Sequence, residues 1–286
     1  MALLDNKVAI VSGAGAGLGR SYALAMASEG ARLVVNDFQQ EAAEETVKLI
    51  IEQGGVAIAN VGDVGTLEGG ETLLRSALEG FGRVDILVNN AGILRDASFA
   101  KMEEAQWDAV MHVHVKALYC VTRPVFAWMK DNGGGGVIVN TTSTAGIRGN
   151  FGQTNYGTAK CGVIGFSTSL AIEGRKYGIR VWNIGPAAAT AMTAHMPEEY
   201  QRQFHIDRVA PTLLYMVSEL SGDQTGKTLL AGGGWIGEAR FEVSDGYVPS
   251  ENITPQEIAQ AVEDGKVMLP QRPDKWVTAY GPQSGE

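Results

Sequence analysis

A tyrosine and a lysine four residues apart, Tyr156 and Lys160, open a helical stretch of this 286-residue chain. Residues at i and i+4 share one helix face, so the phenol and the ammonium are neighbours. A free tyrosine has a pKa of about 10, too high for a base at neutral pH. A nearby ammonium and a positive nicotinamide both favour the phenolate. Tyr156 can then take the proton of a substrate hydroxyl as hydride leaves the same carbon, or return a proton to a carbonyl. Lys160 can also hold the ribose hydroxyls of a nicotinamide nucleotide. Ser143, at the end of the β-branched run before it, can hydrogen-bond the substrate oxygen and stabilise its developing charge. A Tyr/Lys pair is common on helices. This one gains weight by following the C-terminal ends of strands, where α/β folds bind ligands.

A second constellation lies near the N-terminus. The apolar run Val8–Ser12 leads into Gly13, Gly15, Gly17, Leu18 and Gly19, where a helical pattern begins. Glycines let the backbone turn sharply beside a pyrophosphate, and the helix start offers free N–H groups and a positive dipole end to that anion. About 20 residues on, Asp37 ends the next strand pattern. Its carboxylate suits a ribose 2′-hydroxyl and repels a 2′-phosphate. Its neighbours Asn36, Phe38 and Gln39 bring no cation, and the glycine loop has none before Arg20. These residues predict NAD rather than NADP. Asp63 and Val64 follow the third strand pattern and are expected beside the adenine, although an Asp in a turn is common. Asn90, Ala91 and Gly92 follow the fourth and suit a tight backbone against the cofactor; Asn90 could equally clamp two strands.

The elements that must position these residues are legible as alternation. Strand patterns at Val8–Ser12, Arg32–Asp37, Val56–Asn60, Ile86–Asn89, Val137–Thr141, Arg180–Ile184 and Thr228–Ala231 are separated by helical stretches. Leu18, Tyr22, Ala25 and Met26 share a helix face, and Gln40 to Gln53 closes on Gly54-Gly55. Near-continuous apolar strands fit burial on both sides. The expected fold class is α/β, a Rossmann-type doubly wound parallel sheet of about seven strands. Residues 1–237 form this domain. After Gly232-Gly233-Gly234 the alternation stops, and residues 238–286 are read as an extension packed on the same domain, with a short helix near Pro255 to Glu263.

Composition narrows the partners. A net charge of −9 argues against nucleic acid, and no run is long and apolar enough to span a membrane. Cys120 and Cys161 stand alone and are read as reduced core residues. No metal-ligand spacing is present, so no metal is expected. Residues 1–5 leave no room for an export signal before the first strand, and Ser284-Gly285-Glu286 is not the peroxisomal Ser-Lys-Leu address, so a cytoplasmic location is expected.

The glycine loop, Asn89-Asn90-Ala91-Gly92, Ser143 and Tyr156-x-x-x-Lys160 together resemble the short-chain dehydrogenase/reductase family over roughly residues 5 to 237. The resemblance implies the catalytic roles argued for Ser143, Tyr156 and Lys160, a cofactor contact at Pro186, and a homodimer or homotetramer built by helix pairing. In the Tyr156 helix, Gly162, Gly165 and Ser169 would allow such close approach. Asn89–Asp96, Gly149–Gln153, Ser169–Lys176 and Gly233–Gly237 are similar to a finer branch, the (3R)-hydroxyacyl-CoA dehydrogenase part of peroxisomal multifunctional enzymes of type 2, also known as 17β-hydroxysteroid dehydrogenase type 4. That implies a small-molecule substrate, an acyl-CoA or a steroid. A 3-oxoacyl reductase of fatty-acid synthesis and a non-catalytic nucleotide sensor fit less well, the first because of Asp37, the second because Ser143, Tyr156 and Lys160 are all present.

The chain departs from the family in several places. His114 stands where most members carry asparagine; it serves a proton relay to Lys160 or marks a helix kink. Trp182 replaces an asparagine and is expected to narrow or redirect the pocket, and Ala187 replaces a glycine. Met192, Met196, Tyr200 and Phe204 are expected in a lid over residues 186–209, against an acyl chain or a steroid or packed on the core. Arg95, Lys101, Lys116 and Arg148 are candidates for a CoA group or ordinary surface charges. His112, His195 and His205 are assigned no chemistry.

Overall fold

The structure, a computed structural model, describes residues 2–190, 197–249 and 253–269. Met192, His195 and Met196 lie outside the described residues, as does the chain after Leu269. The strands are β1 (Val8–Val11), β2 (Arg32–Asp37), β3 (Val56–Val61), β4 (Ile86–Asn89), β5 (Gly136–Thr141), β6 (Ile179–Ala187), β7 (Lys227–Gly232) and β8 (Trp235–Ala239). Between them run α1 (Gly17–Ser28), α2 (Gln40–Glu52), α3 (Leu67–Phe81), α4 (Glu104–Met111), α5 (Ala117–Asp131), α6 (Ala145–Arg148), α7 (Thr154–Gly174), α8 (Glu198–Gln203) and α9 (Ala210–Val217).

The sheet order is β3-β2-β1-β4-β5-β6-β7-β8, with parallel pairing from β3 through β7. Alternation within β1 sets the two layers. Ala9 and Val11 face a core with Tyr22 and Met26 of α1 and Leu213 and Met216 of α9. Val8 and Ile10 face a second core with Leu73 of α3, Val121 and Val125 of α5 and Ala171 of α7. The winding reverses between β1 and β4, so the loops after these two strands lie side by side at the carboxyl edge, where such sheets bind ligands.

The seven expected strands are present, and an eighth is added. Gly233 and Gly234 were read as the end of the alternation. Both hold positive φ, +58° and +89°, the backbone of a two-residue hairpin turn, and β8 follows them. A second expectation fails at Cys161. It is exposed, because it sits between the inward positions Lys160 and Val163 on the outer face of α7.

A buried polar ladder crosses the carboxyl half of the sheet. Asn89, Asn140, Asn183 and Thr228 share one register across β4 to β7. Thr122 Oγ1 and Asn140 Oδ1 accept from Asn89 Nδ2 at 2.9 and 2.8 Å. Asn140 Nδ2 donates to Ser167 Oγ, which donates to Asn183 Oδ1; Asn183 Nδ2 donates to Thr228 Oγ1. Each of these residues is buried, and buried amides are tolerated because partners answer them. The ladder ties α5 and α7 to the strands whose ends carry the candidate site.

Residues 1–238 form one compact unit and 239–286 another. In the second, the expected short helix is α10 (Pro255–Glu263), capped by Thr254 Oγ1 accepting from Glu257 N at 3.2 Å.

Candidate active site

The glycine loop is shaped by contacts that no side chain would permit. A Cβ on Gly13 would lie 2.7 Å from Ala91 Cα, and one on Gly19 only 2.1 Å from the Gly13 carbonyl oxygen. Gly13 and Gly17 hold φ of +60° and +54°. The N-cap of α1 is Ala16, with no side-chain hydrogen bond and no acidic residue in the first turn. The N–H groups there are left for an outside anion, and open space surrounds the Cβ position of Gly17. This cradle fits the pyrophosphate of a dinucleotide.

Around it the expected residues divide. Asp37 stands at the end of β2, its carboxylate accepting from Gly15 N at 2.9 Å and Gln39 N at 3.0 Å. Asn90 is the clamp: its Nδ2 donates to the Ser12 and Gly13 carbonyls at 3.2 and 3.1 Å, and Ser12 Oγ accepts from the N–H groups of Asn90 and Ala91. Leu18 packs against the first core and Val64 is buried in the second. Asp63 accepts from Gly65 N and pairs with His112 Nε2, both at 2.8 Å. These contacts hold its carboxyl below the usual range against the opposing effect of burial. His112, assigned no chemistry from sequence, thus has a partner. His205 pairs with Asp207 at 3.4 Å on the surface.

The catalytic end is built from side chains. α7 begins two residues before Tyr156. Asn155, fully buried, accepts from Tyr156 N at 2.7 Å while its Nδ2 donates to the carbonyls of Arg95 and Gln106 at 2.9 and 3.3 Å. Sequence reading missed Asn155; a polar residue beside Tyr156 at the helix start was the available signal. Tyr156 hydrogen-bonds Ser143, whose Oγ accepts from Ala145 N at 3.2 Å. Lys160 Nζ donates to the Thr141 carbonyl at 2.7 Å and lies 5.5 Å from the Tyr156 ring centre. Gly146 lets α6 approach, since a Cβ there would lie 2.5 Å from the Lys160 carbonyl carbon.

Burial sets the proton affinities of this group. It pushes Lys160 down from 10.5 to about 7. It pushes the Tyr156 phenol up, against the downward pull of the Ser143 hydrogen bond and with an upward push from Asp96. The expectation of a phenol lowered by its ammonium neighbour therefore does not hold in the protein alone: desolvation raises it, and the group that lowers it is Ser143.

His114 sits in a segment the sequence did not announce, a π-helical turn over His112–Lys116 between α4 and α5. Such turns mark functional places in helices. His114 Nε2 meets the Ile93 main chain, 2.9 Å from the oxygen and 3.0 Å from the nitrogen. Its ring stands edge-on to Tyr156 with centres 5.3 Å apart, and Gly92 makes room for it. Burial first, then the Lys160 charge, push its pKa down to about 3. Its Nδ1 is buried with no protein partner, as is Thr141 Oγ1. Ser12, Asn89, His114, Thr141 and Lys160 line an internal cavity of about 10 Å³. A larger groove of about 640 Å³ lies along α4 and the π turn and touches none of Ser143, Tyr156 or Lys160.

Trp182 does not shape a pocket. It is 1% exposed among Val209, Leu213 and Met216, edge-on to Tyr215 at 6.2 Å. Asn183, its strand neighbour, faces the opposite side and joins the ladder. Ala187 is accommodated by Gly232, where a Cβ would lie 2.1 Å from the Ala187 oxygen. Pro186 lies beside Ala231 at the carboxyl end of β6. Of the lid residues, Phe204 is buried and stacks on Tyr200 at 4.4 Å, which is core packing. Arg95, Lys101, Lys116 and Arg148 are exposed. Arg95 is tied to the site through its own carbonyl on Asn155, and Lys116 lies over the Tyr119 ring at 5.2 Å.

Residues 7–201 match the model of the short chain dehydrogenase family. The chain is 44% identical over 91% of its length to the peroxisomal hydratase-dehydrogenase-epimerase of Neurospora crassa, covering 29% of that protein. It is 41% identical over 91% of its length to the peroxisomal multifunctional enzyme type 2 of Mus musculus, covering 36% of it. The chain thus spans about a third of the length of these curated relatives. The crystal structure of a short chain dehydrogenase from Mycobacterium avium superposes with a TM-score of 0.85 at 34% identity, covering 94% of this chain and 98% of that one. The chain belongs to the short-chain dehydrogenase family and is an oxidoreductase.

Proposed function

We propose that the protein oxidises a (3R)-hydroxyacyl-CoA to the 3-oxoacyl-CoA with NAD⁺. The observation that carries the reaction is the Ser143–Tyr156–Lys160 group at the carboxyl edge of the sheet, beside the glycine cradle. The acyl-CoA assignment is supported by the branch resemblance in residues 89–96, 149–153, 169–176 and 233–237. NAD⁺ is supported by Asp37 at the end of β2, which offers a carboxylate where a 2′-phosphate would need a cation.

A dinucleotide held by its pyrophosphate at the glycine loop would supply its nicotinamide as the hydride acceptor. With the positive nicotinamide beside it to favour the phenolate, Tyr156 would take the hydroxyl proton as the hydride leaves C3, and Ser143 would hold the substrate oxygen while its charge changes. With its affinity near neutrality, Lys160 can carry or release a proton at working pH. The cavity it shares with His114 has room for about one water. There His114 stays neutral and acts as a hydrogen-bonding group.

Self-association through α7 is part of the proposal, as a dimer or tetramer. Gly162, Gly165, Ser169 and Ile172 lie exposed on that helix, Ile172 at 72%. A cytoplasmic site of action is proposed from the two free cysteines, which suit a reducing compartment. No helix among the described residues is long and apolar enough to cross a membrane.

The test is NADH formation by the purified protein with a (3R)-hydroxyacyl-CoA, its (3S) isomer and 17β-estradiol. Turnover of the (3R) thioester alone is expected. Turnover of estradiol alone would replace the acyl-CoA reading with a 17β-hydroxysteroid dehydrogenase using the same three residues.

A further inference from the structure

Gly15, the middle glycine of the cradle, is gripped on both sides by charged groups. Its N–H donates to Asp37 Oδ2 at 2.9 Å. Its carbonyl accepts from Arg20 through both Nε, at 2.9 Å, and Nη2, and from Thr46 Oγ1 at 3.3 Å. Arg20 Nε also donates to Thr46 Oγ1 at 3.0 Å, and its Nη2 pairs with Glu45 Oε2 at 2.8 Å. Thr46 is fully buried, whereas the Arg20 side chain is 26% and that of Glu45 60% exposed. A guanidinium and a carboxylate thus hold the two peptide groups on either side of Gly15, at the end of the cradle where Asp37 would meet the adenosine ribose.

A 2′-phosphate brings nearly two negative charges, and a guanidinium is the side chain best shaped to bind it. Arg20 is such a group, and it is already committed. Thr46 and the Gly15 carbonyl fix its position, and Glu45 answers its charge. We propose that Glu45 is a second determinant of dinucleotide choice. Asp37 repels the 2′-phosphate, while Glu45 withholds from it the cation that could bind it. This inference rests on the reading of Asp37 as the ribose-hydroxyl ligand. It assigns Glu45, on the outer side of α2 and with no expected cofactor contact, to specificity through Arg20. It also explains how an arginine at the start of α1 is compatible with NAD.

The test measures dissociation constants of NAD⁺ and NADP⁺ by isothermal titration calorimetry, without turnover. The proteins are wild type, Asp37→Ser and Asp37→Ser/Glu45→Gln, each checked for folding by circular dichroism. Asp37→Ser alone is expected to weaken NAD⁺ and leave NADP⁺ weak. Adding Glu45→Gln is expected to tighten NADP⁺ by up to about fivefold over the single variant, the scale of one freed surface charge pair, and to leave NAD⁺ within about twofold. The gain should shrink as salt rises. An unchanged NADP⁺ affinity in the double variant, or NAD⁺ and NADP⁺ moving together, would overturn the role of Glu45. Wild-type protein binding both dinucleotides equally would overturn the Asp37 reading and the inference with it, so the two failures are distinguishable.

Discussion

The cradle after β1 and the group around Tyr156 share one edge of the sheet and are made of different material. In the cradle the working groups are main-chain N–H donors, shaped by positive φ at Gly13 and Gly17 and by approaches of 2.1 to 2.7 Å that exclude a Cβ at Gly13 and Gly19. Around Tyr156 the working groups are side chains whose proton affinities are displaced by burial, Lys160 downward to about 7 and His114 to about 3. Binding an anion needs donors fixed in space, which a backbone supplies at any pH. Moving a proton needs groups close to the balance point, which only a tuned environment supplies. The two ends should therefore fail in different ways.

The largest expected effect breaks the backbone end. In Gly19→Val the new side chain meets the Gly13 carbonyl and Asn90 Nδ2, at 2.1 and 2.6 Å from the Cβ position. Calorimetry should show dinucleotide affinity falling by about 100-fold or more, close to 2.7 kcal/mol. Gly17→Ala meets no atom within 4 Å, and its φ of +54° should cost only about 1–2 kcal/mol of stability.

A middle-sized effect tests the support of the side-chain end. Asn140→Ala cuts the ladder between Asn89 and Ser167. Urea unfolding should show a loss of roughly 1–3 kcal/mol for each group left without a partner. Dinucleotide affinity of the folded variant should stay within about twofold, as for distant sites.

A further effect is in pH dependence. Lys160 titrates near 7 in the fold against 10.5 in the free residue, so between these values the unfolded chain binds more protons and stability rises with pH. His114 is lowered to about 3 from 6.5, so its contribution is present above 6.5 and is lost as pH falls from 6.5 toward 3. Thermal melts across pH should lose the alkaline rise in Lys160→Met and part of the acid fall in His114→Asn. Gly17→Ala should keep both.

The same contrast governs what could be read from the sequence. Glycine spacing, Asp37 and the strand alternation are local patterns, and the glycines lie in the loop after β1 and the first turn of α1, and Asp37 at the end of β2. The ladder of Asn89, Asn140, Asn183 and Thr228 arises from register between strands distant in the chain, which no single segment displays. The π turn at His112–Lys116 and the His112–Asp63 pair also depend on distant contacts. Trp182 reads as a pocket residue because it replaces an asparagine of the wider family; the core under α9 holds it instead. β8 was hidden because three glycines read as a terminus when two of them form a hairpin turn.

The contrast is sharpest between dinucleotide binding by the main chain of the cradle and proton transfer by the Tyr156 hydroxyl. Replacing Tyr156 with Phe keeps the ring beside His114 and removes only the hydroxyl that meets Ser143. NADH formation from a (3R)-hydroxyacyl-CoA is expected to fall by about 10²–10⁴-fold, while the dissociation constant for NAD⁺ stays within about twofold. Turnover surviving within tenfold of wild type, or NAD⁺ affinity collapsing along with it, would contradict the account.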